Sequence, residues 1–102
     1  MPKKESDFVH DTLKPELTER FPGCVIIKQD PNTSFQGVPD LLVLFDDKWA
    51  ALETKRGTKS SQRPNQAHYV AKMNDMSFSA FVNPDNYHEV LDDLQRTFRP
   101  GR

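Results

Sequence analysis

Residues 37–55, GVPDLLVLFDDKWAALETK, hold the stretch that decides the fold of this chain. Leu41 to Phe45 is an unbroken apolar run, the pattern of a strand buried on both faces. Asp46-Asp47 can turn the chain, and Lys48 to Thr54 reads as a second strand, so the segment predicts a hairpin. If the turn takes only those two residues, Phe45 pairs with Lys48. Counting outward then sets Asp40 opposite Glu53, with Cβ atoms roughly 4.5–5.5 Å apart. Lys55 lies two positions beyond Glu53 and projects from the same face. One extra loop residue would shift the register and turn every side chain over.

Toward the N-terminus, Phe8, Val9, Leu13, Leu17 and Phe21 recur at helical spacing, predicting an amphipathic helix from Glu5 to about Arg20. Pro15 falls inside it and should kink or restart it after Lys14. Pro22-Gly23 closes the segment, Cys24 to Gln29 reads as a strand, and residues 30–37 as a polar loop. Beyond the hairpin, residues 57–61 are loop, with Ser60 or Ser61 placed to cap a helix and Pro64 in its first turn. Ala67, Val70, Met73 and Met76 give that helix an apolar face, and Asn74-Asp75 ends it. Ser77 to Val82 is a further strand. Asn83-Pro84 opens a last helix whose buried stripe is Tyr87, Val90, Leu91, Leu94 and Phe98. The order α-β-β-β-α-β-α implies a mixed sheet of the α/β or α+β class, in which a crossover helix returns the chain to a parallel strand.

With 102 residues the expectation is a single domain over residues 1–102, with one core and a surface or shallow-cleft site. A hydrophobic content of 35% and a charged content of 28% are ordinary for a soluble protein. No apolar run nears the roughly 20 residues of a membrane span, and the opening MPKKESD lacks the apolar segment of a secretory signal. Cys24 is the only cysteine, which excludes an intrachain disulfide and a cysteine zinc cluster. Its apolar neighbours favour a buried small hydrophobe over a reactive thiol. The expected setting is a reducing cytoplasm, that of a bacterium or a phage-infected host, because the chain is so short. His10, His68 and His88 are too scattered for a zinc site.

The net charge of −1 gives no hint of nucleic acid, but its distribution does. Lys55, Arg56, Lys59 and Arg63 crowd one short segment, and Arg96, Arg99 and Arg102 stud the C-terminal end. Such a strip can hold phosphate beside a carboxylate site, although a solvated surface would look the same. The acids carry the sharper signal. Two carboxylates across a ladder repel, and the pair persists only if one is protonated or a cation bridges them. Two hard oxygen ligands with open positions suit magnesium or manganese, which can activate a water for phosphodiester hydrolysis. Lys55 would orient or deprotonate that water, or stabilise charge growing on the phosphate.

Gly37-Val38-Pro39-Asp40, followed after two strands by Glu53-Thr54-Lys55 and then by Gln66, resembles the signature of the PD-(D/E)XK nucleases. The likeness is greatest to the VRR-NUC branch and the related Holliday-junction resolvases, where a GxPD motif, an ExK motif and a glutamine follow in this order. It covers roughly Glu5 to Val82. It implies a restriction-endonuclease-like αβββαβ core, here with an added C-terminal helix. It also implies that Asp40, Glu53 and the Thr54 carbonyl hold Mg2+ or Mn2+, that Lys55 activates water or contacts phosphate, and that Gln66 orients one or the other. Relatives carry a first-helix acid that contacts metal directly or through water. Glu5 matches best, with Asp7 and Glu16 as weaker candidates; an acid complementing the helix N-terminus is the structural alternative for Glu5. A hydroxyl in the loop before Asp40, Thr33 or Ser34, would contact DNA.

Arg56, Lys59 and Arg63, following directly on Lys55, are expected to contact phosphate. Nothing resembles a base-reading helix, so binding should follow backbone shape and charge and weaken with salt. Trp49 is expected in the core or a dimer contact, with base stacking as the alternative. The functional expectation is a DNA endonuclease, structure-selective for junctions or branches and acting as a homodimer, since cutting both strands needs two symmetric sites. The alternatives are a non-catalytic DNA-binding or assembly subunit on the same fold, and a nuclease directed at RNA.

Overall fold

The hairpin forms in the expected register. In the computed structural model, β2 (Leu41–Phe45) pairs antiparallel with β3 (Lys48–Thr54), Phe45 opposite Lys48 and Leu41 opposite Leu52. The structure describes residues 5–29, 37–57 and 63–99, and of Glu5 and Ser6 only the backbone. Asp46 takes a positive φ of 55°, a conformation that aspartate tolerates better than most residues and that a two-residue hairpin turn demands.

The sheet has four strands in the order β1-β2-β3-β4. β1 (Val25–Lys28) runs antiparallel to β2, and β4 (Phe78–Val82) runs parallel to β3 after the crossover helix α3 (Pro64–Met76). One face is covered by the N-terminal helical segment and by α4 (Tyr87–Phe98). Leu41, Val43, Phe45, Ala50 and Leu52 from the sheet meet Phe8, Leu13, Leu17, Phe21, Leu91, Leu94 and Phe98 there in one core. Phe21, Phe45 and Phe98 form a ring cluster with centroids 5.0–5.6 Å apart. Arg20 fastens the two covering helices, bonding Glu16 at 3.3 Å and Asp92 at 2.7 Å. Partial burial disfavours its charge, but the hydrogen bonds to Asp92 and Glu16 outweigh that and raise its pKa above the usual arginine value.

Pro15 restarts the helix, as expected, and stands in the first turn of the new α-helix. Residues 5–20 run as α1 (Glu5–Phe8), a π-helical turn (Val9–Leu13) and α2 (Lys14–Arg20), with Lys14 donating its N–H to the Val9 carbonyl. A proline ring collides with the carbonyl four residues back, and one widened turn before Pro15 removes that conflict. A correction concerns the cap of α3. Ser60 and Ser61 lie outside the described residues, and the N-cap is Arg63 at φ −79°, ψ 150°, because a residue preceding proline is held out of the helical region. The helix also continues through Asn74-Asp75 to Met76, which is 63% exposed and so is no core residue. Asn83-Pro84 belongs to a turn; Asn86 caps α4, and Asn83 Oδ1 accepts the N–H groups of Asp85 and Asn86. Val25 and Lys28 bound β1, one residue inside the expected span at each end.

The second sheet face is only half covered. Alternation puts Ala51, Glu53, Ser79 and Phe81 on it under α3, and Val25, Ile27, Leu42 and Leu44 on it beyond α3. Val25, Ile27 and Leu44 stay 51%, 41% and 36% exposed, so β2 is not buried on both faces as its apolar run suggests. Among the described residues no helix is long and apolar enough to cross a membrane.

Candidate active site

Pro39 is fully buried and Asp40 follows it at the mouth of β2. The Asp40 carbonyl accepts the Gln29 N–H at 2.7 Å, which ties its backbone to the end of β1. Its carboxylate is held on the other side by one residue. Oδ1 accepts the Thr54 N–H at 2.9 Å and Oδ2 accepts the Thr54 hydroxyl at 2.5 Å. Thr54 ends β3, is 1% exposed and pairs with Val82, so its hydroxyl sits on the apolar face and needs this acceptor.

Glu53 and Lys55 flank Thr54 and, by strand alternation, share the opposite face. Both are nearly sealed from solvent, at 7% and 8% exposure. Burying unlike charges is tolerated only when their polar atoms are satisfied. Gln66, in the first turn of α3, contributes to this for both: Nε2 donates to Glu53 Oε2 at 3.3 Å, and Oε1 accepts Lys55 Nζ at 2.8 Å. The same Oε1 accepts the Arg63 N–H at 3.1 Å. A guanidinium offers no acceptor in return, so this cap is one-sided and anchors Gln66 to the helix start. Lys55 Nζ also lies 6.0 Å from the centre of the Phe81 ring, and the Lys55 N–H donates to Val82 at 2.8 Å, fixing the strand below it.

Gly37 locks this arrangement to α3. Its φ is +92°, and a Cβ there would stand 2.5 Å from Asn65 Cβ and 2.9 Å from the Asn65 carbonyl carbon. Only glycine permits that conformation and that approach together. A cleft of about 280 Å³ opens beside the contact, lined by Gly37, Arg63, Pro64, Asn65 and Gln66.

The expected residues lie at one end of β3 in two groups, Asp40 with Thr54 and Glu53 with Gln66 and Lys55. Arg56 and Arg63 are exposed beside them. Lys59, Thr33, Ser34 and the side chain of Glu5 lie outside the described residues. Glu16 does not join; it is committed to Arg20 at the far tether, and Asp7 is an exposed residue of α1. Trp49 is partly exposed, with its carbonyl accepting the Ser77 hydroxyl. Cys24 is half-buried, and burial pushes its thiol pKa up against a smaller opposing backbone contact. His10, His68 and His88 are exposed. The Thr54 side chain, the Phe81 ring and the Gly37–Asn65 contact escaped sequence reasoning, although a glycine just ahead of Pro39-Asp40 signals a special backbone position. Compared with known proteins, the chain matches no family model, no curated protein and no solved structure.

Proposed function

We propose that this chain is a metal-dependent DNA endonuclease, selective for branched or junction structure and working as a homodimer. The observation that carries the reading is the Glu53–Gln66–Lys55 chain, a buried acid and a buried base joined by an amide at a cleft edge, one residue either side of the Asp40-bound Thr54. Burying an acid and a base costs desolvation that apolar packing would not, and titratable groups buried at a cleft cluster at functional sites, which supports catalysis over packing.

The donor set suits a hard divalent ion. Among the described residues no group of three or more His, Cys, Asp or Glu side chains could hold a metal. The protein's share would be Asp40, Glu53 and the Thr54 carbonyl, leaving positions for water and a substrate phosphate, as magnesium prefers. Bound there, Mg2+ or Mn2+ would supply a phosphate clamp and an acidified water. Lys55 would then orient the attacking water or stabilise charge growing on the phosphate, its ammonium held in place by Gln66. Arg63 and Arg56 meet the flanking phosphates from the open side. With contacts to the backbone alone, affinity should fall steeply with salt. A second copy covering Val25, Ile27 and Leu44 would bring two sites to one branched substrate.

A rival has its own observation: Asp40 already satisfies the buried Thr54 hydroxyl, a purely structural duty that a non-catalytic DNA-binding subunit would also show. Labelled four-way junction, flap, duplex and single strands, with matched RNA, separate the readings. Cleavage of the DNA branches should require magnesium or manganese and vanish in Asp40→Ala and Lys55→Ala proteins that still bind DNA. Equal cleavage by those variants refutes the assignment, and cleavage of RNA alone redirects it.

A further inference from the structure

Thr54 stands between Glu53 and Lys55, and its side chain points to the other face of β3, where Val82 and Leu52 surround it at 0% exposure. Nothing about an apolar strand position calls for a hydroxyl. Valine would fill the same volume and suit a strand better. The hydroxyl finds its partner in Asp40 Oδ2, while the backbone N–H of the same residue takes Oδ1.

We infer that Thr54 is a positioning residue that sets the plane of the Asp40 carboxylate for a divalent ion; this rests on the nuclease reading above. The terminal torsion of an aspartate is broad, so a carboxylate held by one donor can swing. Here two donors from one residue fix both oxygens. The backbone donor belongs to a strand bonded on its far side by Lys55 N–H to Val82, and Asp40 itself is fastened by Gln29. Each carboxylate oxygen offers two lone pairs and has given one to Thr54, so each keeps one in reserve. The clasp therefore orients Asp40 without using up its capacity as a ligand. Donors to a ligand are typically worth 10–100-fold in metal affinity. Removing only the hydroxyl leaves the N–H and frees Oδ2, which should sit at the low end of that range.

The test is calorimetric titration of the DNA-free full chain with MnCl2, comparing wild type with Thr54→Val, Thr54→Ser and Asp40→Asn. Wild type should bind Mn2+, and Thr54→Val should bind about tenfold more weakly. Thr54→Ser, which keeps the donor, should return to within roughly threefold of wild type. In cleavage assays the half-saturating Mn2+ concentration should rise in Thr54→Val by the same factor and return toward wild type in Thr54→Ser. A merely structural threonine would lower folding stability without that shift. If the valine chain does not fold, Thr54→Ala carries the same expectation. Wild-type affinity in Thr54→Val or its alanine substitute overturns the inference and leaves the nuclease reading standing. No Mn2+ binding by wild type, matching Asp40→Asn, overturns both.

Discussion

Replacing Gly37 by alanine should damage this protein more than its size suggests, and the cost can be divided in two. At φ +92° an L-residue with a Cβ incurs roughly 1–2 kcal/mol, partly offset by the stiffer unfolded chain. The new methyl would also lie 2.5 Å from Asn65 Cβ, so α3 must shift, and forcing atoms into a packed contact costs about 1–3 kcal/mol more. The expected total is about 2–4 kcal/mol. Gly23 provides the internal control, since its φ is +88° but nothing lies within 4 Å of its Cβ position. Gly23→Ala should thus show the backbone part alone, about 1 kcal/mol. For a chain this long the two losses correspond to melting-temperature drops of roughly 10–20 °C and roughly 5 °C. Urea denaturation followed by circular dichroism gives both values. Equal destabilisation of the two variants would refute the Gly37–Asn65 approach. The same shift should carry Gln66 away from Glu53 and Lys55, so a folded Gly37→Ala protein should lose cleavage beyond its loss of stability.

Two further outcomes follow from burial and charge. Burial raises the Cys24 thiol pKa, so iodoacetamide should react with native protein only toward higher pH, and unfolding in urea should restore the rate at neutral pH; equal rates in both states would contradict that burial. The hydrogen bond from Lys48 lowers the Asp47 pKa, so this pair stabilises the fold above the unfolded aspartate pKa and loses its effect as pH falls through the lower folded value. Because Asp47 is fully exposed the effect on stability should be small, and NMR titration of its carboxyl carbon is the direct check, with a midpoint at or above that of a free aspartate counting against the bond.

The fold was legible where periodicity is strong. The five apolar residues after Asp40, the two aspartates of the turn and the helical stripe of α4 leave one reading each, and the register that follows sets Asp40 beside the end of β3. Element ends were less legible. Pro15 signals the restart at Lys14 but not the π-helical turn that precedes it. The cap of α3 moved to Arg63 because the residue before a proline sets the boundary, not the nearest serine. Met76 and the outer face of β2 were misjudged for a different reason: apolar character shows which side chains can be buried, but only the number of covering helices decides which are. At the candidate site, the resemblance names Gln66 beside Glu53 and Lys55, which the structure bonds together, but the clasp on Asp40 was not legible. It is a contact between residues 14 apart, made by a hydroxyl that strand periodicity alone would have assigned to the core.

The short turn at Asp46-Asp47 also bears on how the site comes together during folding. Hairpins with so little chain to close form within about 1–10 μs, whereas the parallel pairing of β3 with β4 must wait for the intervening helix to cross the sheet. Asp40 and Thr54 therefore meet among the earliest native contacts, while Gln66 arrives with α3. A nascent chain would own its two acids before it owned the amide that links Glu53 to Lys55, so on the proposed nuclease reading cleavage competence should trail hairpin formation in refolding.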